Sequence, residues 1–176
     1  KYIVILQHPV TTEYGSGLRQ IKATIDAVKD LNTQIVWLWP NVDAGSDDIS
    51  KGLRIFRETY KGKKIKFYKN FDPENYLKLI NNAACMVGNS SSALREGSYL
   101  GIPAVNIGTR QDGRERGKNV ISVGYNSSKI KSAIISRMKS KKFKSNKLYG
   151  NGNAGKKIAE ILSKVDVKIQ KKLNYK

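Results

Sequence analysis

The chain has 176 residues, of which 39% are hydrophobic, and a formal net charge of +19 at pH 7. This length fits a single domain with one sizeable core. No apolar run approaches the roughly 18 residues that span a bilayer, and no charged-then-apolar leader precedes the body, so we expect a soluble, cytoplasmic protein. The lone Cys85 cannot form an internal disulfide, and we expect it to be a small buried strand residue.

The positive charge is unevenly distributed along the chain. Residues 1–60 carry seven Lys/Arg and seven Asp/Glu, whereas residues 61–176 carry 26 and seven. A basic chain suggests nucleic acid as a partner, but here the lysines mix with Ser and Asn, and few aromatic residues interleave with them as stacking platforms. We therefore favour a solvated lysine-rich face, with an acidic membrane or partner surface, and then nucleic acid, as the alternatives.

The predicted elements alternate between strands and helices. Residues 1–6 form a β-branched apolar run typical of a strand buried on both faces, and no initiator methionine precedes it, so we expect an excised or processed piece. Further strands are predicted at 33–39, 65–68, around Met86, 104–107 and 120–123. Helices are predicted from Leu18 to a left-handed Asn32 cap, from a Ser46 cap to Phe56, from an Asp72 cap through Leu77 to Ile80, and at 91–100, 126–138 and 153–165.

This alternation predicts a doubly wound, Rossmann-like α/β domain with a parallel sheet over residues 1–165, followed by a basic tail at 166–176. Such a sheet binds its ligand at the carboxyl ends of its strands. Four polar residues follow predicted strands and should therefore share that edge: His8, Asn41, Ser90 and Arg110.

The segment from Gly88 to Glu96 carries the strongest functional pattern. A strand that empties into a glycine-serine turn offers backbone N–H groups to an anion, so Ser90 and Ser91 are candidate ligands of a diphosphate. Glu96 lies about a turn and a half into the predicted helix, where its carboxylate can accept hydrogen bonds from ribose hydroxyls. The Arg110 guanidinium can bind the same phosphates through two hydrogen bonds. Ordinary helix capping by a serine and a surface position for the arginine remain alternatives.

His8, Asn41 and Asp43 complete the candidate set. His8 is the only histidine and suits a phosphate contact or proton transfer, or it is simply hydrogen-bonded to backbone. Asn41 and Asp43 face either a sugar or only their own turn. One His and one Cys make no metal-ligand cluster, and no serine-histidine hydrolase pattern is present, so we expect no metal or cofactor.

Taken together, these segments resemble the carboxyl-terminal domain of UDP-N-acetylglucosamine 2-epimerases. The similar segments occur in order and cover nearly the whole chain to about residue 165. They are His8-Pro9-Val10-Thr11, residues 40–46, Gly88-Asn89-Ser90-Ser91-Ser92 with Glu96, Gly101-Ile102-Pro103, residues 110–120 beginning Arg110-Gln111-Asp112-Gly113-Arg114, and residues 149–154.

The resemblance implies one half of a glycosyltransferase-B architecture, with the principal acid-base carboxylates in an absent amino-terminal domain. In that family, UDP is eliminated across C1 and C2 to give a 2-acetamidoglucal intermediate, and addition to the double bond inverts C2. The His-Pro-Val-Thr-Thr sequence after the first strand resembles the hydrolysing branch, which releases N-acetylmannosamine for sialic-acid-type sugars. The other branch typically has His-Arg-Arg-Glu-Asn there.

By motif position, the resemblance implies a histidine near the reacting centre at His8, diphosphate binding by Ser90, Ser91 and Arg110, and ribose binding by Glu96. It implies UDP and a UDP-N-acetylhexosamine as ligands, uracil recognition partly by backbone at 67–71, and allows a homo-oligomer. The alternatives are a stand-alone or degenerate UDP-sugar-binding module, or a related nucleotide-sugar glycosyltransferase. The chain by itself is expected to bind and not to catalyse.

Overall fold

The computed structural model describes residues 1–166 and residue 170. The six strands are β1 (Tyr2–Leu6), β2 (Gln34–Leu38), β3 (Ile65–Tyr68), β4 (Cys85–Gly88), β5 (Ala104–Ile107) and β6 (Val120–Val123). The helices are α1 (Gly17–Val28), α2 (Ser46–Thr59), α3 (Pro73–Asn81), α4 (Glu96–Leu100), α5 (Ser127–Lys139) and α6 (Ala154–Leu162), with 3-10 turns at Thr11–Glu13 and Ser91–Ala93. Apart from residues 166 and 170, the expected basic tail lies outside the described residues.

The six strands form one sheet in the order β3-β2-β1-β4-β5-β6, and every pairing is parallel. In β1, Val4 pairs with Val36 on one side and with Met86 on the other. Strands β2 and β3 lie in succession on one side of β1, and strands β4, β5 and β6 lie in succession on its other side. This confirms the predicted doubly wound fold, and it places the reversal of strand order between β1 and β4.

Both faces of the sheet are covered, which explains why the central strands β1 and β4 are apolar without alternation. On one face, Ile3 and Trp37 pack with the fully buried Ile21, Ile49 and Ile130 from α1, α2 and α5. On the other face, a second core combines strand residues with α3, α4 and their flanking segments, and its fully buried members include Ile80, Leu94 and Ile102.

Cys85 is fully buried in β4, as predicted, and burial raises the pKa of its thiol to about 12. Asp72 caps α3 as predicted, since its carboxylate accepts a hydrogen bond of 2.9 Å from the backbone N–H of Asn75. Within the described residues, no helix has both the length and the apolar character that a membrane span requires.

Several local predictions are wrong. Ser46 is the first residue of α2 and makes no capping bond, because Gly45, with φ +86°, takes the cap position. The predicted helix 91–100 is a 3-10 turn followed by the five-residue α4, because Arg95, at φ −92° and ψ −81°, leaves the helical region. Helix α1 ends at Val28, and Asn32 is not left-handed, since the only described residues with positive φ are glycines.

Two helices also depart from their predicted apolar faces. Leu77 of α3 is exposed, and the helix faces the core through Ile80, which is fully buried. Helix α6 is shorter than the predicted 153–165 and buries none of its residues. Its apolar side chains Ile158, Ile161 and Leu162 are all more than half exposed. The 3.6-residue period correctly predicted these helices, but it could not tell which of their apolar residues meet the sheet.

Gly88 is the last residue of β4 and pairs with Leu6 of β1. Its φ is +122°, and a Cβ atom added there would lie 2.1 Å from the backbone carbonyl oxygen of Leu6. No neighbouring side chain can move to relieve this clash, because the obstacle is the main chain of the adjacent strand. Only glycine at this position therefore allows β1 and β4 to stay paired up to their ends, so that the loops that follow them lie side by side.

We expect Gly88→Ala to lower the free energy of unfolding by more than about 3 kcal/mol, because the clash adds to the backbone strain. The control is Gly113→Ala, whose φ is +75° with no atom within 4 Å of the added Cβ, so that only the left-handed penalty of about 1–2 kcal/mol applies. Urea unfolding of both variants measures the difference. Equal losses would show that the contact with Leu6 is not limiting.

Candidate functional site

The site lies at the carboxyl edge of the sheet, where the loops after β1 and β4 meet. These strands are neighbours, and the strand order reverses between them. In a sheet of this kind the loops at such a point diverge to opposite faces and leave a crevice for a ligand. The loop after β2 lies beside the first of these loops, and the loop after β5 lies beside the second.

Asn89 joins three of these loops. Its side-chain Oδ1 accepts a hydrogen bond of 2.7 Å from the backbone N–H of His8, and its Nδ2 donates to the backbone oxygen of His8 at 2.8 Å. Its own backbone oxygen accepts from Gln111 Nε2 at 2.7 Å and from Arg110 Nη1 at 3.3 Å. Asn89 is fully buried, so its bonds with His8 and Gln111 are shielded from water and fix the three loops relative to one another.

The His8 side chain is buried, and its protonation state follows from its contacts. Its Nδ1 accepts a hydrogen bond of 3.0 Å from the backbone N–H of Asn41, so the proton of the neutral ring is on Nε2. Burial, followed by the positive charge of Arg110, lowers the pKa of His8 to about 4, against an opposing effect of Asp43. At neutral pH, His8 is therefore an uncharged hydrogen-bond donor through Nε2.

Arg110 and Asp43 form an ion pair beside this histidine. Arg110 Nη2 lies 3.4 Å from Asp43 Oδ2, and the two side chains are 27% and 36% exposed. A pair this long and this accessible contributes little to stability and exchanges readily for another anion. The Arg110 guanidinium is thus held near Asn89 but remains accessible to a phosphate group.

A cavity of about 670 Å³ opens at the same edge, and we call it the histidine cavity. His8, Asn41 and Ser90, three of the predicted site residues, line it. The other residues along its wall are Leu6, Leu38, Trp39, Pro40, Val42, Lys69, Asn70, Phe71, Pro73, Tyr76 and Ser92. The backbone segment proposed for uracil, 67–71, thus contributes its last three residues to the same cavity.

Hydroxyl groups form a continuous chain along one wall of the histidine cavity. The Tyr76 hydroxyl lies 2.6 Å from Ser92 Oγ, which in turn lies 3.0 Å from Ser90 Oγ. Ser90 Oγ also accepts from the backbone N–H of Ser92 at 3.3 Å. Among the described residues, the backbone N–H groups of Ser90 and Ser91 have no acceptor. The turn can therefore offer N–H and O–H donors to an anion.

The predicted site residues do not all surround one hollow. Glu96 lines a second cavity of about 540 Å³, which we call the glutamate cavity, together with Arg95, Tyr99 and residues of the segment 146–152. Arg110, Asp43 and Ser91 line neither cavity. Tyr76 lines the first cavity, and Leu77, the next residue of α3, lines the second. The negative charge of Glu96 also helps to raise the pKa of Tyr76, after the larger effect of burial.

Three important residues were not singled out from the sequence. Asn89 belongs to the glycine-serine motif, but nothing in the sequence around it indicates that its side-chain amide binds the backbone of His8, 81 positions earlier. Gln111 and Tyr76 each depend on contacts made across the sheet edge. A buried polar residue directly after an apolar strand is the one local signal that could have marked Asn89. No group of three His, Cys, Asp or Glu in the described part of the chain could hold a metal ion.

The fold and this edge define the class of protein, an α/β domain that corresponds to one half of a glycosyltransferase-B architecture. A solved structure of a UDP-GlcNAc 2-epimerase from Methanocaldococcus jannaschii, in complex with UDP-GlcNAc and UDP, superposes on 93% of the chain with a TM-score of 0.72. The chain covers 45% of that protein, and the two sequences are 19% identical. At this identity the likeness shows the fold.

The sequence comparison is more specific. The family described as UDP-N-acetylglucosamine 2-epimerase matches residues 1–163, and the chain belongs to this family. It is 28% identical over 170 residues to a UDP-N,N'-diacetylbacillosamine 2-epimerase (hydrolyzing) of Legionella pneumophila. It is 29% identical over 165 residues to a UDP-N-acetylglucosamine 2-epimerase of Neisseria meningitidis. These matches cover 97% and 92% of the chain but 44% and 43% of the relatives, so the chain spans less than half of their length.

Because His8 is the only histidine in the sequence, its ring gives a single, assignable NMR titration. We expect a pKa near 4, with opposite shifts in two variants. Arg110→Ala removes a positive charge and should raise the pKa, whereas Asp43→Asn removes a negative charge and should lower it. Shifts in the same direction would contradict the proposed arrangement of charges.

The same pKa predicts a pH dependence of stability. Above about pH 6.5 the ring is neutral in both the folded and the unfolded state, and below it only the unfolded chain takes up a proton until pH 4 is reached. His8 should therefore cost ~3 kcal/mol of stability as the pH falls through this window. Urea unfolding at pH 7 and pH 4.5 measures the loss, with His8→Asn, which does not titrate there, as the reference. A constant difference between the two proteins would contradict the buried neutral state.

Proposed function

We propose that this chain is the UDP-binding lobe of a UDP-N-acetylglucosamine 2-epimerase of the hydrolysing type, with residues 1–165 forming that lobe. The whole enzyme would then eliminate UDP from UDP-N-acetylglucosamine, invert C2 through a 2-acetamidoglucal intermediate, and add water to release N-acetylmannosamine. The chain by itself binds UDP and does not catalyse, because its candidate groups at the sheet edge bind and orient and include no acid-base pair of carboxylates.

One observation supports this proposal above the others: a neutral histidine and a serine turn line one cavity at the point where the strand order of the sheet reverses. The Legionella relative, named as a hydrolyzing 2-epimerase, matches almost the full chain. That match favours the hydrolysing branch, in agreement with the His-Pro-Val-Thr-Thr sequence that begins at His8.

In this proposal, the diphosphate lies in the histidine cavity against Ser90 and extends to the backbone N–H of Ser91, the next residue of the same turn. The N–H groups of this turn and the Ser90 hydroxyl donate to phosphate oxygens, and the Arg110 guanidinium exchanges its long contact with Asp43 for the phosphate. The exchange places a positive charge beside the leaving group. Asp43 then remains on the sugar side with Asn41, as the sequence suggested.

His8 acts close to the bond that breaks. Its Nε2–H can donate to a phosphate oxygen and stabilise the negative charge that develops on UDP as it leaves. Because Nδ1 is held by the backbone N–H of Asn41, the ring keeps a fixed orientation and a fixed tautomer. A cationic histidine is not required, which agrees with the low pKa of the buried ring.

The ribose is proposed to extend toward Glu96 in the glutamate cavity, with the uracil near the backbone of Asn70 and Phe71 in the histidine cavity. A nucleoside diphosphate has three chemically distinct parts, so it can reach groups that line two cavities. Tyr76 in the histidine cavity and Leu77 in the glutamate cavity are consecutive residues of α3. This arrangement accounts for the separation of Glu96 from Ser90 and Arg110.

Calorimetric titration of UDP into the chain tests the proposal. We expect measurable binding that Ser90→Ala, Glu96→Ala and Arg110→Ala each weaken by at least about 1 kcal/mol, the typical value of a hydrogen bond to a charged group. The matched controls are Arg114→Ala and Glu115→Ala, exposed residues of the segment after β5, which should bind UDP like the parent chain.

Two outcomes would contradict the proposal. If the folded parent chain binds no UDP, this lobe is not the nucleotide-binding half. If the site variants bind UDP as tightly as the controls, a site exists but these residues do not form it. A fall in affinity that tracks salt concentration and is indifferent to the base would favour nonspecific attraction to the lysine-rich surface instead.

A further inference from the structure

The hydroxyl chain on the wall of the histidine cavity has a role that neither serine explains alone. Its outer end is the Ser90 hydroxyl, and its inner end is the phenol of Tyr76 on α3. We propose that Tyr76 is a positioning residue that acts through Ser92 to point the Ser90 hydroxyl proton toward the diphosphate. This inference rests on the proposed function, because it concerns how the same cavity holds its phosphate groups.

Counting protons limits the direction of the chain. Each hydroxyl donates one proton, so Ser92 can donate to Tyr76 or to Ser90 but not to both. If Tyr76 donates to Ser92 and Ser92 donates to Ser90, the Ser90 proton is free to point into the cavity. If Ser90 donates to Ser92 instead, its own proton is not available to the cavity. If Ser92 in turn donates to Tyr76, the phenol proton has no acceptor among the described residues.

The contacts of Ser90 Oγ favour the first direction. This oxygen already accepts from the backbone N–H of Ser92, and the hydroxyl of Ser92 approaches it at 3.0 Å. When the Ser92 hydroxyl donates as well, both acceptor positions of this oxygen are filled, and its own proton is the group left for a ligand. An anion in the cavity then fixes this direction, since it can only accept.

The phenol is also the right group for the inner end. A phenol is a stronger hydrogen-bond donor than an alcohol, and donation along a chain strengthens each following donor. The 2.6 Å separation between the Tyr76 hydroxyl and Ser92 Oγ is the shortest step of the chain. Burial, together with the charge of Glu96, raises the pKa of Tyr76, so the phenol keeps its proton at neutral pH.

The test compares UDP with uridine, which has the same nucleoside but no phosphate. Tyr76→Phe keeps the ring and removes only the hydroxyl, so we expect UDP to bind about fivefold more weakly, the loss of one ordinary hydrogen bond, while uridine binding is unchanged. Ser92→Ala should give the same pattern. The double variant should be no weaker than either single variant, because both changes break the same chain.

Tyr2→Phe is the matched control. The Tyr2 hydroxyl donates to the backbone oxygen of Leu79 at 2.7 Å, so this variant also removes a phenolic hydrogen bond to α3, but at the opposite edge of the sheet. Its UDP affinity should equal that of the parent chain. Calorimetry measures UDP binding, NMR titration measures uridine binding, and thermal unfolding verifies that every variant folds.

Each outcome separates this inference from the proposed function. UDP binding by the parent chain with no change in Tyr76→Phe would overturn the role of Tyr76 and leave the function intact. Equal weakening for UDP and uridine would assign Tyr76 to the nucleoside instead, and additive losses in the double variant would exclude action through Ser92. Failure of the parent chain to bind UDP would overturn the proposed function itself.

Discussion

The exchange of hydrogen bonds between the Asn89 amide and the backbone of His8 is the interaction on which the candidate site depends. It joins the ends of β1 and β4, which are neighbours in the sheet although His8 and Asn89 are 81 residues apart in the sequence. The backbone oxygen of the same residue then receives Gln111 and Arg110 from a third loop. Since Asn89, His8 and Gln111 are buried, losing one of these partners would leave unpaired polar atoms in a low-dielectric environment, and the loops are held accordingly.

This junction also sets the electrostatics of the edge. It brings Arg110 close enough to the buried His8 ring for the positive charge to oppose protonation, while Asp43 partly compensates that charge. The result is a neutral donor beside an arginine whose ion pair is long and partly exposed. Such an edge is prepared for an anion without holding an unpaired buried charge, which would be costly in the free protein.

The sheet itself was predictable because its sequence signals are local. Continuous apolar strands such as Ile3–Ile5 indicate burial on both faces, and helices of regular length between them require parallel connections. The Asp72 cap and the buried Cys85 were also correctly predicted, since each depends on its immediate neighbours. The prediction for Ser46 was wrong because Gly45 takes the cap position, and the prediction for Asn32 was wrong because α1 ends earlier, at Val28. The predicted helix 91–100 is interrupted because the backbone of Arg95 is not helical.

The sequence by itself determined the alternating α/β fold, membership of the epimerase family and the set of polar residues at the carboxyl edge. The tertiary structure alone decided how these residues divide: His8, Asn41 and Ser90 line one cavity, Glu96 lines the next, and Arg110 pairs with Asp43. It also revealed the roles of Asn89 and Tyr76. The physical reason is that strand and helix patterns are encoded within a few residues, whereas a cavity wall or a buried amide contact is formed by residues far apart in the chain.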